Sequence, residues 1–162
     1  MKTWGTSLLL ALALSTPALA ETPSAGAEAA EQAKATLAEH PTLVDMLNRN
    51  NELRMAYGRA PQEMSLELCR AAQDHAWYMA RTGSFSHYSN GGPDGRSARY
   101  GYNGGTRENI ALGQRTVVEV FSSWQGSSGH WANILSDSNI AGFGYAIGPN
   151  GQQYWVGVYG QK

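Results

Sequence analysis

Phe85-Ser86-His87, Arg107-Glu108-Asn109-Ile110-Ala111, Glu119-Val120 with Trp124, and Ser128-Gly129-His130-Trp131-Ala132-Asn133-Ile134-Leu135 are the blocks whose reading decides this chain. They set two of its four histidines and two glutamates among turn residues and aromatics. Burying such groups is costly unless each finds a partner. The pattern therefore points to a site assembled from distant segments, either a metal centre or an acid/base centre.

The local signals around these blocks place them on elements. Val117 to Trp124 reads as a helix with Thr116 as N-cap and Glu119 inside it. Gly126-Ser127-Ser128-Gly129 interrupts that helix, and Ser128 or Gly129 opens a short one carrying His130 and Asn133. Asn109 to Gly113 reads as a short strand. Ser84 to Arg107 is rich in turn residues and reads as loop, of a length that is usually functional or mobile.

Upstream, Pro41 opens a helical pattern in Leu43, Met46, Leu47, Asn50, Leu53 and Arg54, with Thr42 or Asp45 near its start and Gly58 as its stop. A second helix starts at Ser65 as N-cap and ends at Gly83. Its narrow stripe of Leu68, Ala72, Ala76, Met79 and Ala80 suits close packing. His75 lies near that stripe and reads as a satisfied interior or boundary histidine; Cys69 reads as a buried, inert thiol, with an intermolecular disulfide as the alternative. Downstream the period changes to β. Ile140 to Ile147 and Tyr154 to Tyr159, joined by Gly148-Pro149-Asn150-Gly151, form a hairpin. Gly142, Gly144 and Gly157 mark bulges or close backbone approach. Helices first and a hairpin last predict an α+β domain with an antiparallel sheet covered by helices.

Residues 1–20 read as a signal peptide: Lys2, the apolar run Leu8 to Leu14, and an Ala18-Leu19-Ala20 cleavage site. Glu21, not cysteine, follows, so no lipoprotein anchor is expected. Residues 21–40 form an Ala/Glu-rich spacer or arm, and residues 41–162 the single domain. The formal charge of −1 offers no footprint for nucleic acid, and the mature chain carries no transmembrane segment. One cysteine excludes an internal disulfide, which favours a bacterial protein, secreted or periplasmic.

Spacing alone leaves the site open. Glu119 and His130 would share a face only on a continuous helix, which the glycines prevent. No H-E-x-x-H pair and no G-x-S-x-G elbow is present. The four residues either meet at a shared metal or are ordinary edge carboxylates and polar packing groups.

From Met46 to Gly160 the chain resembles the CAP superfamily, the cysteine-rich secretory proteins, antigen 5 and pathogenesis-related 1 proteins, also called the SCP domain. The resemblance runs in order through Asn50 with Arg54 and Gly58, the Leu68/Ala72/Ala76/Met79-Ala80 helix and Phe85-Ser86-His87. It continues through Arg99-Tyr100-Gly101-Tyr102, Glu108-Asn109-Ile110-Ala111, Glu119 with Trp124 and Ser128-Gly129-His130 with Asn133-Ile134-Leu135. Gly142-Phe143-Gly144 and Tyr154-Trp155-Val156 complete it.

The resemblance implies a three-layer α-β-α sandwich around a central antiparallel sheet. It carries the family's cleft tetrad onto His87, Glu108, Glu119 and His130. The two histidines then ligate a divalent cation, zinc first, with magnesium or calcium as harder alternatives. Glu108 and Glu119 flank them as orienting carboxylates or general bases, and Asn109, Ser128 and Asn133 brace the site. Two departures stand out: the bridging cysteines of eukaryotic members are missing, and Trp131 follows the second histidine.

Three functions are compatible with this resemblance. The first is a binding module for a small-molecule, lipid or protein ligand. The second is a metal-assisted, peptidase-like hydrolase, and the third a lipid- or sterol-export protein that needs a separate apolar groove. They are ranked in that order because no dedicated nucleophile accompanies the tetrad.

Overall fold

The structure, a computed structural model, describes Met1, Leu37 and residues 39–162. The predicted signal peptide and nearly all of the predicted arm lie outside the described residues. Of the arm, Leu37 is half-buried and packs against the core.

Helix α1, Pro41–Ala56, begins on Pro41, whose missing N–H costs nothing at a first helical position. It therefore starts at Pro41, as expected, with Thr42 in its first turn and His40 as N-cap. Leu43, Met46, Asn50, Leu53 and Arg54 form its buried face. The two-residue strand β1, Glu63–Met64, follows; it is too short to leave a period in the sequence. Helix α2, Leu66–Thr82, starts and stops where expected. The Ser65 hydroxyl accepts from the Leu68 N–H, and Gly83 closes the helix at φ +71°, a left-handed conformation open to glycine.

The stretch read as loop from Ser84 to Arg107 is not all loop. A 3₁₀ turn, Ser89–Gly91, leads into helix α3, Gly92–Arg99, with Pro93 in its first turn. Gly-Pro-Asp-Gly composition signals a turn, but here Pro93 sits where a helix tolerates it and the buried Arg96 anchors the segment. Strand β2 runs Arg107–Leu112, two residues earlier than expected. Helix α4, Val117–Gln125, is capped by Thr116, and helix α5 spans Ser128–Ile134. Strands β3, Ile140–Ile147, and β4, Gln153–Gly160, make the expected hairpin.

The sheet order is β1-β3-β4-β2. β3, β4 and β2 are antiparallel, as expected; the short β1 joins the edge of β3 in parallel. Side-chain alternation along β3 and β4 separates two cores. Ala141, Phe143, Trp155 and Tyr159 face α1, α4 and α5. Ile140, Ala146, Tyr154, Val156 and Val158 face α2. Helices thus cover both faces of the sheet, giving the α-β-α sandwich.

The α2 layer is unusually close. A Cβ built on Gly142 would lie 2.2 Å from the Cys69 nitrogen, and one on Gly144 would lie 2.3 Å from the Ala72 backbone. The small-residue stripe of α2 and the two glycines of β3 therefore meet backbone to backbone. Gly142 and Gly144 mark close approach, not bulges. Cys69 is fully buried in this layer, and burial pushes its thiol pKa up to about 11. It is inert, and no intermolecular disulfide can reach it without unfolding.

On the other face Arg54 ties α1 to the turn after α5. Its guanidinium donates from Nε to the Ala60 carbonyl at 2.8 Å and from Nη1 to the Ile134 and Ser136 carbonyls at 2.6 and 2.9 Å. The Ile134 carbonyl is one that the end of α5 leaves without a helical partner. This bond fixes the helix that carries His130.

Candidate functional site

Glu108 is the hub of the site. It projects from β2 toward the α2 side of the sheet and is buried. Its Oε1 accepts from His87 Nδ1 at 3.0 Å, and its Oε2 accepts a short hydrogen bond from Arg96 Nη2. His75 Nε2, on α2, stands 3.9 Å from the same Oε1. One carboxylate therefore faces one arginine and two imidazoles.

Arg96 is fully buried on α3 and also holds the backbone of the His87 loop. Its Nη1 donates to the Ser89 carbonyl at 2.6 Å and to the His87 carbonyl at 3.3 Å. Sequence reasoning missed Arg96 because it lies in the stretch read as loop, where a lone arginine resembles a solvated surface group.

His75 was expected to be a satisfied interior histidine. It is interior, but neither ring nitrogen makes a well-formed hydrogen bond. Its ring stacks on Tyr78 at 6.3 Å. Burial lowers its pKa from 6.5 to about 4; the Glu108 carboxylate pulls the other way, and Arg96 adds to the lowering. His75 is thus a neutral imidazole at neutral pH.

His130 comes from α5. Its ring lies 6.4 Å from that of His87, centre to centre, with the planes 47° apart. Burial, and then the neighbouring His87, lower its pKa below the ordinary value, so it too is neutral at neutral pH. Asn109 and Asn133 brace this helix. Asn133 Nδ2 donates to Asn109 Oδ1 at 2.9 Å and to the Glu108 carbonyl at 3.2 Å, while Asn109 Nδ2 donates to the His130 carbonyl at 3.0 Å. Ser128 opens α5 but makes no side-chain hydrogen bond and is exposed.

Glu119 is placed differently. It is exposed on the first turn of α4, and its Oε2 accepts from the Arg115 N–H at 2.7 Å while its own N–H donates to the Thr116 hydroxyl. That is a variant of the capping box, with the carboxylate reaching the N–H of the residue before the N-cap, and its Thr-x-x-Glu spacing is present in the sequence. Glu119 makes no hydrogen bond to either histidine. Among the described residues, no group of three or more His, Cys, Asp or Glu side chains is placed to hold a metal ion.

The donor set nonetheless fits a divalent ion held by two imidazoles. His87 gives its Nδ1 to Glu108, which leaves Nε2 for a ligand, the arrangement common at metal-binding histidines. Two rings on one ion, through bonds of about 2.0–2.1 Å, can just span the observed separation. A tetrahedral ion needs them closer, and the His87 side chain is 39% exposed, with room to move. An ion held by these two rings would keep coordination positions for water or a ligand. Trp131, the next residue of α5, packs edge-on against Tyr57 at 5.0 Å and against the α1-side core.

Residues 47–159 match the family model described as the cysteine-rich secretory protein family, and the chain belongs to that family. Solved structures share the fold. An outer surface protein of Borrelia burgdorferi aligns at a TM-score of 0.66 and 21% identity, over 72% of this chain and 89% of that one. An extracellular SCP-domain protein of Bacillus anthracis aligns at 0.66 and 20%, over 75% of this chain and 40% of that one. A cysteine-rich secretory protein of Staphylococcus aureus aligns at 0.61 and 21%, over 75% and 39%. The chain thus spans about two fifths of the Bacillus and Staphylococcus chains. No curated protein matches it at a significant level. No helix among the described residues is long and apolar enough to cross a membrane.

Proposed function

We propose that this member of the cysteine-rich secretory protein family is a secreted or periplasmic binding module, in which His87 and His130 hold a divalent cation, zinc first, and offer its open positions to a ligand. The location rests on the signal-like N-terminus and on the outer-surface and extracellular descriptions of its structural relatives. One observation supports the site above all: the Glu108–His87 hydrogen bond, which frees His87 Nε2 beside His130. When bound, the ion supplies Lewis acidity toward an oxygen or nitrogen donor of the ligand. The chain's own part is to turn His87 through Glu108 and to hold the helix that carries His130.

A hydrolase would need a carboxylate free to take a proton from water. Glu108 is committed to Arg96 and His87, and Glu119 to the Arg115 N–H, which weighs against that mechanism. A lipid carrier would need one apolar groove. Met79 is fully buried, Met64 half-buried and Met55 exposed, so these methionines do not line a common surface.

Isothermal titration of metal-free protein with Zn²⁺ tests the reading. Saturable binding that disappears in His87→Ala/His130→Ala supports it. Binding that is unchanged in that double variant, or absent from the native protein, ends it.

A further inference from the structure

We propose that Arg96 is the positioning residue of this site: through Glu108 and the His87 carbonyl it locks His87 in the tautomer that presents Nε2 outward. The metal role of that nitrogen rests on the preceding reading; the locking does not.

The argument starts from Glu108. A carboxylate whose Oε2 is taken by a permanently charged guanidinium stays an acceptor at its other oxygen. His87 Nδ1, 3.0 Å from that oxygen, must then carry the proton, so the lone pair of the neutral ring sits on Nε2. His75 does not compete for Oε1, since at 3.9 Å it is beyond hydrogen-bond reach. The second half of the lock is on the backbone. Arg96 Nη1 grips the carbonyls of Ser89 and His87, so one side chain fixes both the ring partner and the main chain of the same histidine. A lysine could match the charge but not the fork. Arg96 is fully buried and has no solvent to serve, so this geometry is its whole polar role apart from the unpaired Nε.

Ring ¹⁵N NMR of metal-free protein in mildly alkaline buffer reads the tautomer without any metal. In the native protein His87 is expected as the Nδ1–H form; finding the Nε2–H form overturns the proposal at once. In Arg96→Gln the Nε2–H form should grow and the zinc dissociation constant should rise about 10–100-fold, as for other partners that orient a ligand. Should the glutamine variant not fold, Arg96→Lys serves, with a smaller shift in the same direction for both readouts. A folded variant of lower thermal stability with unchanged tautomer and zinc affinity would mean that Arg96 is only a structural tie. If the native protein binds no zinc but the tautomer follows Arg96, the lock stands and the metal reading falls.

Discussion

Asn133 donates from Nδ2 to Asn109 Oδ1 at 2.9 Å, and Asn109 passes the chain on to the His130 carbonyl at 3.0 Å. Two amides thereby tie α5 to β2, the helix of one histidine to the strand that carries the carboxylate partner of the other. Asn109 is fully buried, so its loss leaves the Asn133 amide and the His130 carbonyl short of a partner. Asn109→Ala should cost about 2–3 kcal/mol in urea denaturation. An effect below roughly 0.5 kcal/mol, the size of an ordinary surface change, would show that the relay does not hold α5 in place.

Stability should fall on mild acidification because of His75. The unfolded chain takes up a proton on this ring near pH 6.5, whereas the folded chain does so only near pH 4. Between those values the unfolded state binds more protons, so stability is complete above pH 6.5 and declines as pH drops toward 4. The decline from this ring amounts to about 3 kcal/mol at most. His130, lowered by burial and then by His87, acts in the same direction. Urea midpoints for the native protein and His75→Gln across pH 7.5 to 4 isolate the ring's share. Parallel pH profiles for the two proteins would contradict it.

The backbone contact between α2 and β3 leaves no space for a methyl group. Gly142→Ala and Gly144→Ala each place a Cβ 2.2 to 2.3 Å from backbone atoms that cannot rotate away. The helix must move off the sheet, so each should cost about 3 kcal/mol or more, the upper end for overpacking. Gly129→Ala is the control, because nothing lies within 4 Å of its added Cβ. Thermal denaturation by circular dichroism should lower the midpoint sharply for the first two and little for the third. Equal midpoints in all three would refute the close contact.

Most of the architecture was legible in the sequence because its signals are local. Ser65 and Gly83 bracket α2, Thr116 caps α4, and the glycine-rich turn joins two β-branched runs. The parallel pairing of β1 was not legible, since two residues carry no period. Nor was α3, whose glycines and proline signal a turn. The site divides along the same line. His87, Glu108 and His130 lie near one another, and Asn109 and Asn133 hydrogen-bond around them. The roles of Arg96 and His75 depend on α3 and α2 packing against β2, a relationship no local pattern records. Glu119 carried two signals at once, a family position and a capping spacing, and its hydrogen bonds follow the capping one.

The order β1-β3-β4-β2 puts the last hairpin, residues 140–160, at the middle of the sheet. Every other strand pairs with it, and both cores draw on its side chains. During synthesis the helices and both edge strands therefore leave the ribosome before there is anything for them to pack on. Such a chain stays open until nearly its last residues emerge and then closes through long-range contacts. Premature termination anywhere before Ile140 should yield no partially folded domain, only a target for proteolysis.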